Sequence, residues 1–127
     1  MNNNKKKIKS MSKRQLRVGA SIRYLLAKSL VPRLMRNDIL AGALITITRV
    51  QMSSNLKNAK VFFIVGQCIR IDLNVILNAL TTETPNLKSI IRNRMVLKFI
   101  PNLCFCYDKI FEETYKVHKI INKSYEI

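Results

Sequence analysis

The cysteines are the side chains of this 127-residue sequence that come nearest to a metal site. Cys104 and Cys106 are one residue apart, so on a strand their thiols would share one face. A structural zinc ion takes four ligands, and the other soft ligands, Cys68 and His118, have no suitable spacing. These thiols are therefore predicted to pack as ordinary side chains, and the sequence predicts no metal and no other cofactor.

Catalytic chemistry has equally few candidates. His118, the only histidine, has no nucleophile or carboxylate at the spacing of a known motif. Glu112 and Glu113 are adjacent, and adjacent side chains on a helix diverge, so the two carboxylates do not form an acid/base pair. The sequence therefore predicts no catalytic residue and a protein that is not an enzyme.

Charge is the unusual property of the chain. It has 23 lysines and arginines against 7 acidic residues, a formal net charge of +16. Nucleic acid is the best partner for such an excess, because cations that neutralise phosphates release bound counterions. An anionic membrane surface would attract the same charge. No apolar stretch approaches the length of a membrane span and no secretory signal is visible, so we expect a cytoplasmic protein with reduced cysteines.

Eight of the cations are predicted to contact RNA. Lys88 and Arg92 are one turn apart on a predicted helix, and two further cations follow them. Three cations lie on the first helix, where a solvated face and an RNA contact are equally plausible. Lys60 either protects a strand edge against pairing or contacts RNA. The predicted RNA-binding residues are Lys88, Arg92, Arg94, Lys98, Arg17, Arg23, Lys28 and Lys60.

Hydrophobic periodicity predicts the elements that would position these cations. Ser12 can cap a first helix, whose apolar residues recur at helical spacing until Pro32 ends or kinks it. Two strands follow, at 43–52 and 59–65, joined by turn-forming residues. The apolar residues of the first strand change phase in its middle, which predicts a β-bulge near Thr48-Arg49.

The second half of the chain is predicted to contain two helices and one strand. Asp72 can cap a helix, and Thr84 with Pro85 is predicted to interrupt it and to begin the next one. A strand at 103–107 alternates apolar residues with cysteines, and a loose helix at 110–123 follows it.

The order helix, strand, strand, helix, helix, strand predicts an α+β domain with a three-stranded sheet covered on one side by helices. Phe63 and Phe105 are expected to be buried on the covered side. The predicted organisation is a disordered basic tail at 1–12, one domain at 13–110 and a C-terminal helical extension at 111–127.

Four stretches of the sequence together resemble the ribosome-binding factor A family of bacteria. Arg14–Val18 precedes the first helical apolar face as the family's Arg-x-x-Arg-Val does. Gly42 with Ile45–Ser53 matches the first strand, and Leu56–Phe62 is similar to the family's Leu-x-x-Ala-Lys-Val-Tyr. Ile100–Asp108 is similar to Val-Pro-Glu-Leu-x-Phe-x-Tyr-Asp. The stretches occur in the family's order and at nearly its spacing.

The resemblance implies a KH-type domain of the type II order that binds RNA of the immature small ribosomal subunit during late maturation, without enzymatic activity. We expect a monomer. KH domains grip nucleic acid with a Gly-x-x-Gly loop between two helices, and the family has Ala-x-Gly there. This chain has Glu83, Thr84 and Pro85 instead. Glu83 would repel phosphate and Pro85 has no amide to donate, so RNA contacts are expected C-terminal to this junction.

Other classes of function fit parts of the pattern. A permanent ribosomal protein of the small subunit would have the same size and charge. A small nuclease would need a catalytic constellation that this sequence lacks, and a membrane-surface protein would bind anionic vesicles. RNA recognition by shape and backbone is predicted, because no aromatic base-stacking platform is visible in the sequence.

Overall fold

The computed structural model describes residues 10–31, 37–66 and 72–114. Residues 1–9 of the tail predicted at 1–12, and residues 115–127 of the C-terminal extension predicted at 111–127, lie outside the described residues. The helices and strands are α1 (Lys13–Ser29), α2 (Asp38–Ala43), β1 (Thr46–Met52), β2 (Asn58–Ile64), α3 (Leu73–Arg94) and β3 (Asn102–Tyr107).

The three strands form one sheet in the order β1-β2-β3. β2 pairs antiparallel with β1 and parallel with β3. The register of β1 on β2 shifts between Ile47 and Arg49, so the predicted bulge is confirmed. Because the bulge adds one residue, Ile47 and Met52 are both buried although they are five positions apart. The predicted α+β class, a three-stranded sheet covered on one side by helices, is confirmed.

The core lies between the sheet and the helices. Phe63 at the centre of β2 is fully buried, as predicted. Phe105 of β3 is only half-buried, although its ring packs edge to face on that of Phe63 with 6.5 Å between centroids. The reason is that Phe105 lines an open groove between α3 and β3, so the helix does not fully cover its ring. The other large, fully buried side chains include Ile22, Leu26, Leu40, Ile76, Leu80, Leu87 and Ile91.

The first helix begins as predicted and lies close to β1. Ser12 Oγ accepts a hydrogen bond from the Gln15 amide (3.1 Å), and Gln15 Oε1 accepts one from the Ser12 amide (2.8 Å). This reciprocal pair is a capping box. Gln15 Nε2 also donates to the carbonyl oxygen of Met52 at the end of β1 (3.1 Å). A Cβ on Gly19 would lie only 2.8 Å from the carbonyl oxygen of Val50, so glycine permits this close packing.

The third helix is continuous where two helices were predicted. It runs from Leu73 to Arg94 with Pro85 inside it. Its start is capped as predicted, because Asp72 Oδ1 accepts a hydrogen bond from the Asn74 amide (2.9 Å). The helices predicted on either side of Pro85 are therefore the two halves of α3.

Thr84 does not act as the cap that was predicted for it. Its hydroxyl donates to the carbonyl oxygen of Leu80 (2.9 Å), inside the helix. Proline inside a helix removes one hydrogen bond and costs about 3 kcal/mol relative to alanine. Leu80 and Leu87, on either side of Pro85, are both fully buried. Burial of these two side chains offsets that cost and holds both halves of α3 on the core.

Asp108 ties the end of β3 to β1. Its buried carboxylate accepts hydrogen bonds from the Thr48 hydroxyl (2.6 Å) and the Phe111 amide (3.1 Å), and Arg49 Nε lies 3.6 Å away. Burial, the largest single effect, raises the pKa of Asp108, but these hydrogen bonds and the Arg49 charge together lower the pKa below its ordinary value. The ionised carboxylate is therefore the form that the folded state prefers.

Candidate RNA interface

Lys88 and Arg92 lie on the same side of α3, beside the edge strand β3. Both line an open groove of about 850 Å³ between the helix and the strand. Cations one turn apart can contact neighbouring phosphates of a nucleic acid backbone. The groove is also lined by Leu77, Thr81, Thr84, Pro85, Leu103, Cys104 and Phe105.

Hydrogen bonds connect this part of α3 to the turn between β1 and β2. Lys88 Nζ lies 3.3 Å from Asn102 Oδ1, at the start of β3. The backbone amide of Asn102 donates to the carbonyl oxygen of Lys57 (2.9 Å), and its side chain reaches Asn58 Oδ1 (3.5 Å). The parallel pairing of β2 with β3 thus places the ends of three elements at one edge of the molecule.

The turn before β2 is fixed by its own side chains. Asn55 Oδ1 accepts hydrogen bonds from the Lys57 amide (3.0 Å) and the Ser53 hydroxyl (2.7 Å), and Ser53 Oγ accepts one from the Asn58 amide (3.1 Å). Leu56 has a left-handed backbone conformation (φ 61°) within this turn. The position of Lys57 is therefore set by an ordered backbone.

Phe99 is the aromatic neighbour of Lys57 and was not among the predicted binding residues. It lies between α3 and β3, and 45% of its surface is exposed. Lys57 Nζ is 4.5 Å from the centre of its ring and Lys98 Nζ is 5.4 Å away. In the sequence, Phe99 is an apolar residue between a lysine and an isoleucine shortly before Pro101, and this pattern indicates a binding residue only weakly. Only the strand pairing shows that Lys57 is beside it.

The α3 surface is the name used below for Lys57, Lys88, Arg92, Lys98 and Phe99. Arg94, the last residue of α3, is exposed next to these residues in the chain. Three of the eight predicted RNA-binding residues, Lys88, Arg92 and Lys98, therefore lie on this surface, whereas Arg94, two positions after Arg92, lies on another side of the helix. Glu83, on the same helix, accepts a hydrogen bond from Asn86 Nδ2 (3.1 Å).

The cations predicted on the first helix lie elsewhere, over the opposite edge of the sheet, because α1 packs on β1. Arg17 is exposed. Arg23 Nε donates to the carbonyl oxygen of Thr48 in β1 (3.2 Å). Lys28 Nζ donates to the hydroxyl of Tyr24 (3.3 Å) and lies 5.0 Å from the centre of its ring. Arg17, Arg23, Tyr24 and Lys28 are called the α1 face below.

Lys60 belongs to neither group. It is exposed on β2, aligned with Gln51 on one side and Cys104 on the other. The covered side of β2 is occupied by Val61 and Phe63 at alternating positions, so Lys60 points to the open side of the sheet. The eight predicted residues therefore do not form one surface.

The thiols near Lys60 show no metal-binding arrangement. Among residues 10–31, 37–66 and 72–114, no three His, Cys, Asp or Glu side chains are grouped so that they could hold a metal ion. Partial burial and the neighbouring Cys104 raise the pKa of Cys106, which keeps its thiol protonated. Cys68 and His118 lie outside the described residues. Within the described part of the chain, no helix is long and apolar enough to cross a membrane.

Comparison with known sequences identifies the family. A model of the family described as ribosome-binding factor A matches residues 14–121. Ribosome-binding factor A of Rhodopseudomonas palustris (strain BisB18) is 36% identical over 112 residues, which cover 87% of this chain and 79% of the relative. The protein of the same name from Afipia carboxidovorans is 37% identical over 110 residues, covering 87% and 77%.

Solved structures agree with the fold. A crystal structure of ribosome-binding factor A from Thermus thermophilus superposes with a TM-score of 0.60 at 17% identity, over 73% of this chain and 94% of that one. A solution structure of a putative ribosome-binding factor A from Thermotoga maritima gives a TM-score of 0.64 at 21% identity, over 79% and 92%. The architecture is the KH-type fold implied by the sequence resemblance. The match across residues 14–121 shows that this chain belongs to the ribosome-binding factor A family.

Proposed function

We propose that this chain binds the small ribosomal subunit through ribosomal RNA and assists its late maturation. The observation that carries the proposal is the α3 surface, where cations from α3, the β1–β2 turn and the loop before β3 lie at one edge of the fold. A further likeness supports the choice of partner. A model of the Thermus thermophilus factor, fitted into a cryo-electron microscopy map of a 30S complex, superposes with a TM-score of 0.57.

The α3 surface suits an RNA backbone for electrostatic and geometric reasons. Lys88 and Arg92 follow the helix axis one turn apart, so they can contact consecutive phosphates, while the buried Leu87 and Ile91 keep the helix on the core. These cations contribute affinity and little sequence preference. Recognition of one RNA region must then come from its shape.

The chain is proposed to act by binding, as a cytoplasmic monomer without catalysis. Cys106 has a raised pKa, which disfavours the thiolate needed for a nucleophile. The groove beside α3 is open to solvent and is lined mainly by apolar and cationic side chains. Such a lining is suited to contact with a polyanion and not to general acid–base chemistry.

Charge reversal is the experiment that tests the proposal. Lys88→Glu with Arg92→Glu should abolish co-sedimentation with immature small subunits, because each change replaces attraction to phosphate with repulsion. Arg17→Glu with Lys28→Glu is the matched control, since it makes the same change in net charge on the α1 face. Circular dichroism should show both double variants folded, because exposed substitutions usually change stability within about 0.5 kcal/mol.

Two outcomes would contradict the proposal. Normal subunit binding by the Lys88→Glu, Arg92→Glu variant would move the interface away from the α3 surface. Full stoichiometry of the chain in translating polysomes would identify a permanent ribosomal protein, since a maturation factor leaves before translation begins.

A further inference from the structure

We propose that Phe99, between Lys57 and Lys98, stacks on one unpaired base of the RNA that the α3 surface binds. The inference rests on the proposed function and adds the kind of RNA element that is recognised. The sequence had predicted recognition of shape and backbone alone, because an aromatic platform is not evident until the chain is folded.

The Phe99 ring is exposed in a loop that is anchored on both sides of it. Met95 and Leu97, in the same loop, pack against the core, and Pro101, two residues after Phe99, is buried. Phe99 is 45% exposed in spite of these anchors. The loop is thus fixed at both ends while it presents an aromatic ring to solvent. A fixed ring loses little conformational freedom when it binds, which favours its use as a contact.

The charges around the ring indicate the chemistry of its partner. Lys57 Nζ lies 4.5 Å and Lys98 Nζ 5.4 Å from the ring centre, and the two lysines come from different segments of the chain. An aromatic ring between cations fits a group that combines a flat π surface with a negative charge. A nucleotide has both, since its base can stack on the ring while its phosphate contacts the lysines.

Stacking can compete with the lysines for the ring. An exposed cation–π contact is weaker than a base stacked on an aromatic side chain. A base that reaches Phe99 can therefore displace an ammonium group from the ring. The displaced lysine can then contact the phosphate of the same nucleotide, so a contact with phosphate replaces the lost cation–π contact.

The base must be unpaired. In an A-form duplex the faces of the bases are covered by their neighbours, so a protein ring can stack only on a base in a loop, a bulge or a free end. The path from Lys88 through Asn102 to Lys57 leads along the surface to Phe99. We infer that a strand whose phosphates follow α3 places an unpaired nucleotide at this end.

A tryptophan probe tests the inference directly, because the native sequence contains no tryptophan. The fluorescence of Phe99→Trp should be quenched by a single-stranded purine RNA oligonucleotide, and much less by a blunt RNA duplex of equal length. Phe111→Trp is the matched control, since Phe111 is 44% exposed but lies after β3. Its fluorescence should respond equally weakly to both RNAs.

The affinities provide the second measurement. Phe99→Leu keeps an apolar side chain without a ring, and it should weaken binding of the single strand by about 5- to 150-fold, the range expected for one base–aromatic stack. Phe99→Tyr should restore most of the affinity, and Phe111→Leu should have no effect. Thermal melting of each variant should match the parent, because the ring is not part of the buried core.

The possible failures are distinguishable. If Lys88→Glu with Arg92→Glu abolishes subunit binding while Phe99→Trp shows no preferential quenching by the single strand, the stacking site is wrong and the proposed function stands. If that double variant binds normally, the proposed function is wrong, and the stacking inference, which rests on it, is wrong as well. If vesicles of phosphatidylglycerol bind Phe99→Trp and blue-shift its emission while the single strand does not, the ring is a membrane contact and the inference is overturned.

Discussion

The α3 surface and the α1 face have similar compositions, but their side chains make different contacts. Each combines several cations with one exposed aromatic ring, Phe99 in the first and Tyr24 in the second. On the α1 face, Lys28 contacts Tyr24 one turn away, and Arg23 donates to the backbone of β1. On the α3 surface, Lys57 and Lys98 reach one ring from two separate segments. The number of cations is therefore a poor guide to a binding surface.

The two regions differ in what their polar side chains contact. Arg23 is engaged in holding α1 on β1, together with the Gln15 contact to Met52 and the close approach at Gly19. On the α3 surface, Lys88 contacts a neutral amide and Lys57 and Lys98 contact an exposed ring, and a phosphate can replace these contacts at little cost. Arg23 thus helps to hold α1 on β1, and the α3 surface is the better candidate for ligand binding.

Salt dependence should separate the two regions most strongly. Each phosphate contact contributes about 0.7 to 0.9 to the slope of log affinity against log salt concentration. Neutralising two contacts with Lys88→Gln and Arg92→Gln should therefore reduce the slope by about 1.4 to 1.8. Arg17→Gln with Lys28→Gln, the control on the α1 face, should leave the slope unchanged. The measurement is RNA affinity at several salt concentrations, and equal reductions in both variants would erase the distinction between the surfaces.

A methyl group at Gly19 should reveal the structural role of α1. The new Cβ would meet the carbonyl oxygen of Val50 at 2.8 Å, so Gly19→Ala should lower the free energy of unfolding by about 2 kcal/mol. Gly42→Ala is the matched control, because a Cβ there meets nothing within 4 Å and alanine is the better helix former. Urea unfolding measures both.

RNA affinity of the folded Gly19→Ala variant should remain that of the parent, since α1 is displaced while the α3 surface is not. A loss of RNA affinity as large as that caused by Lys88→Gln with Arg92→Gln would show that the position of α1 matters directly for binding. A stability equal to that of the parent would show that α1 can move away from β1 without cost.

Local sequence patterns predicted the helices and strands better than they predicted the candidate site. The spacing of Ser12 and Gln15 predicted the helix start, and the phase change in β1 predicted the bulge. Both depend on residues a few positions apart. The continuity of α3 through Pro85 was not predictable in this way, because it depends on core contacts that hold Leu80 and Leu87 on either side of the proline.

The candidate site was predictable only in part for the same reason. The spacing of Lys88 and Arg92 predicted that both lie on one side of a helix. The neighbourhood of Phe99 depends on the parallel pairing of β2 with β3, which brings Lys57 close to a loop about forty residues later in the chain. Long-range pairing of this kind leaves no periodic signal in the sequence. The aromatic part of the surface therefore emerges only from the folded chain.

Asp108 should have the smallest effect and favour neither surface, because it ties together the sheet that supports both. Its pKa is lowered in the folded state, so its contribution to stability is fully present above the unfolded value near 3.8 and is lost as the pH falls through the lower folded value. Asp108→Asn should lower the free energy of unfolding at pH 7 by about 1 kcal/mol, since the amide can still accept one hydrogen bond but lacks the charge. The difference between parent and variant should shrink on acidification below pH 4.

Asp38→Asn, at the exposed start of α2, is the control and should change stability by less than about 0.5 kcal/mol. Urea unfolding at pH 7, 5, 4 and 3 makes the comparison, and a difference that stays constant down to pH 3 would show that the ionised carboxylate does not stabilise the sheet.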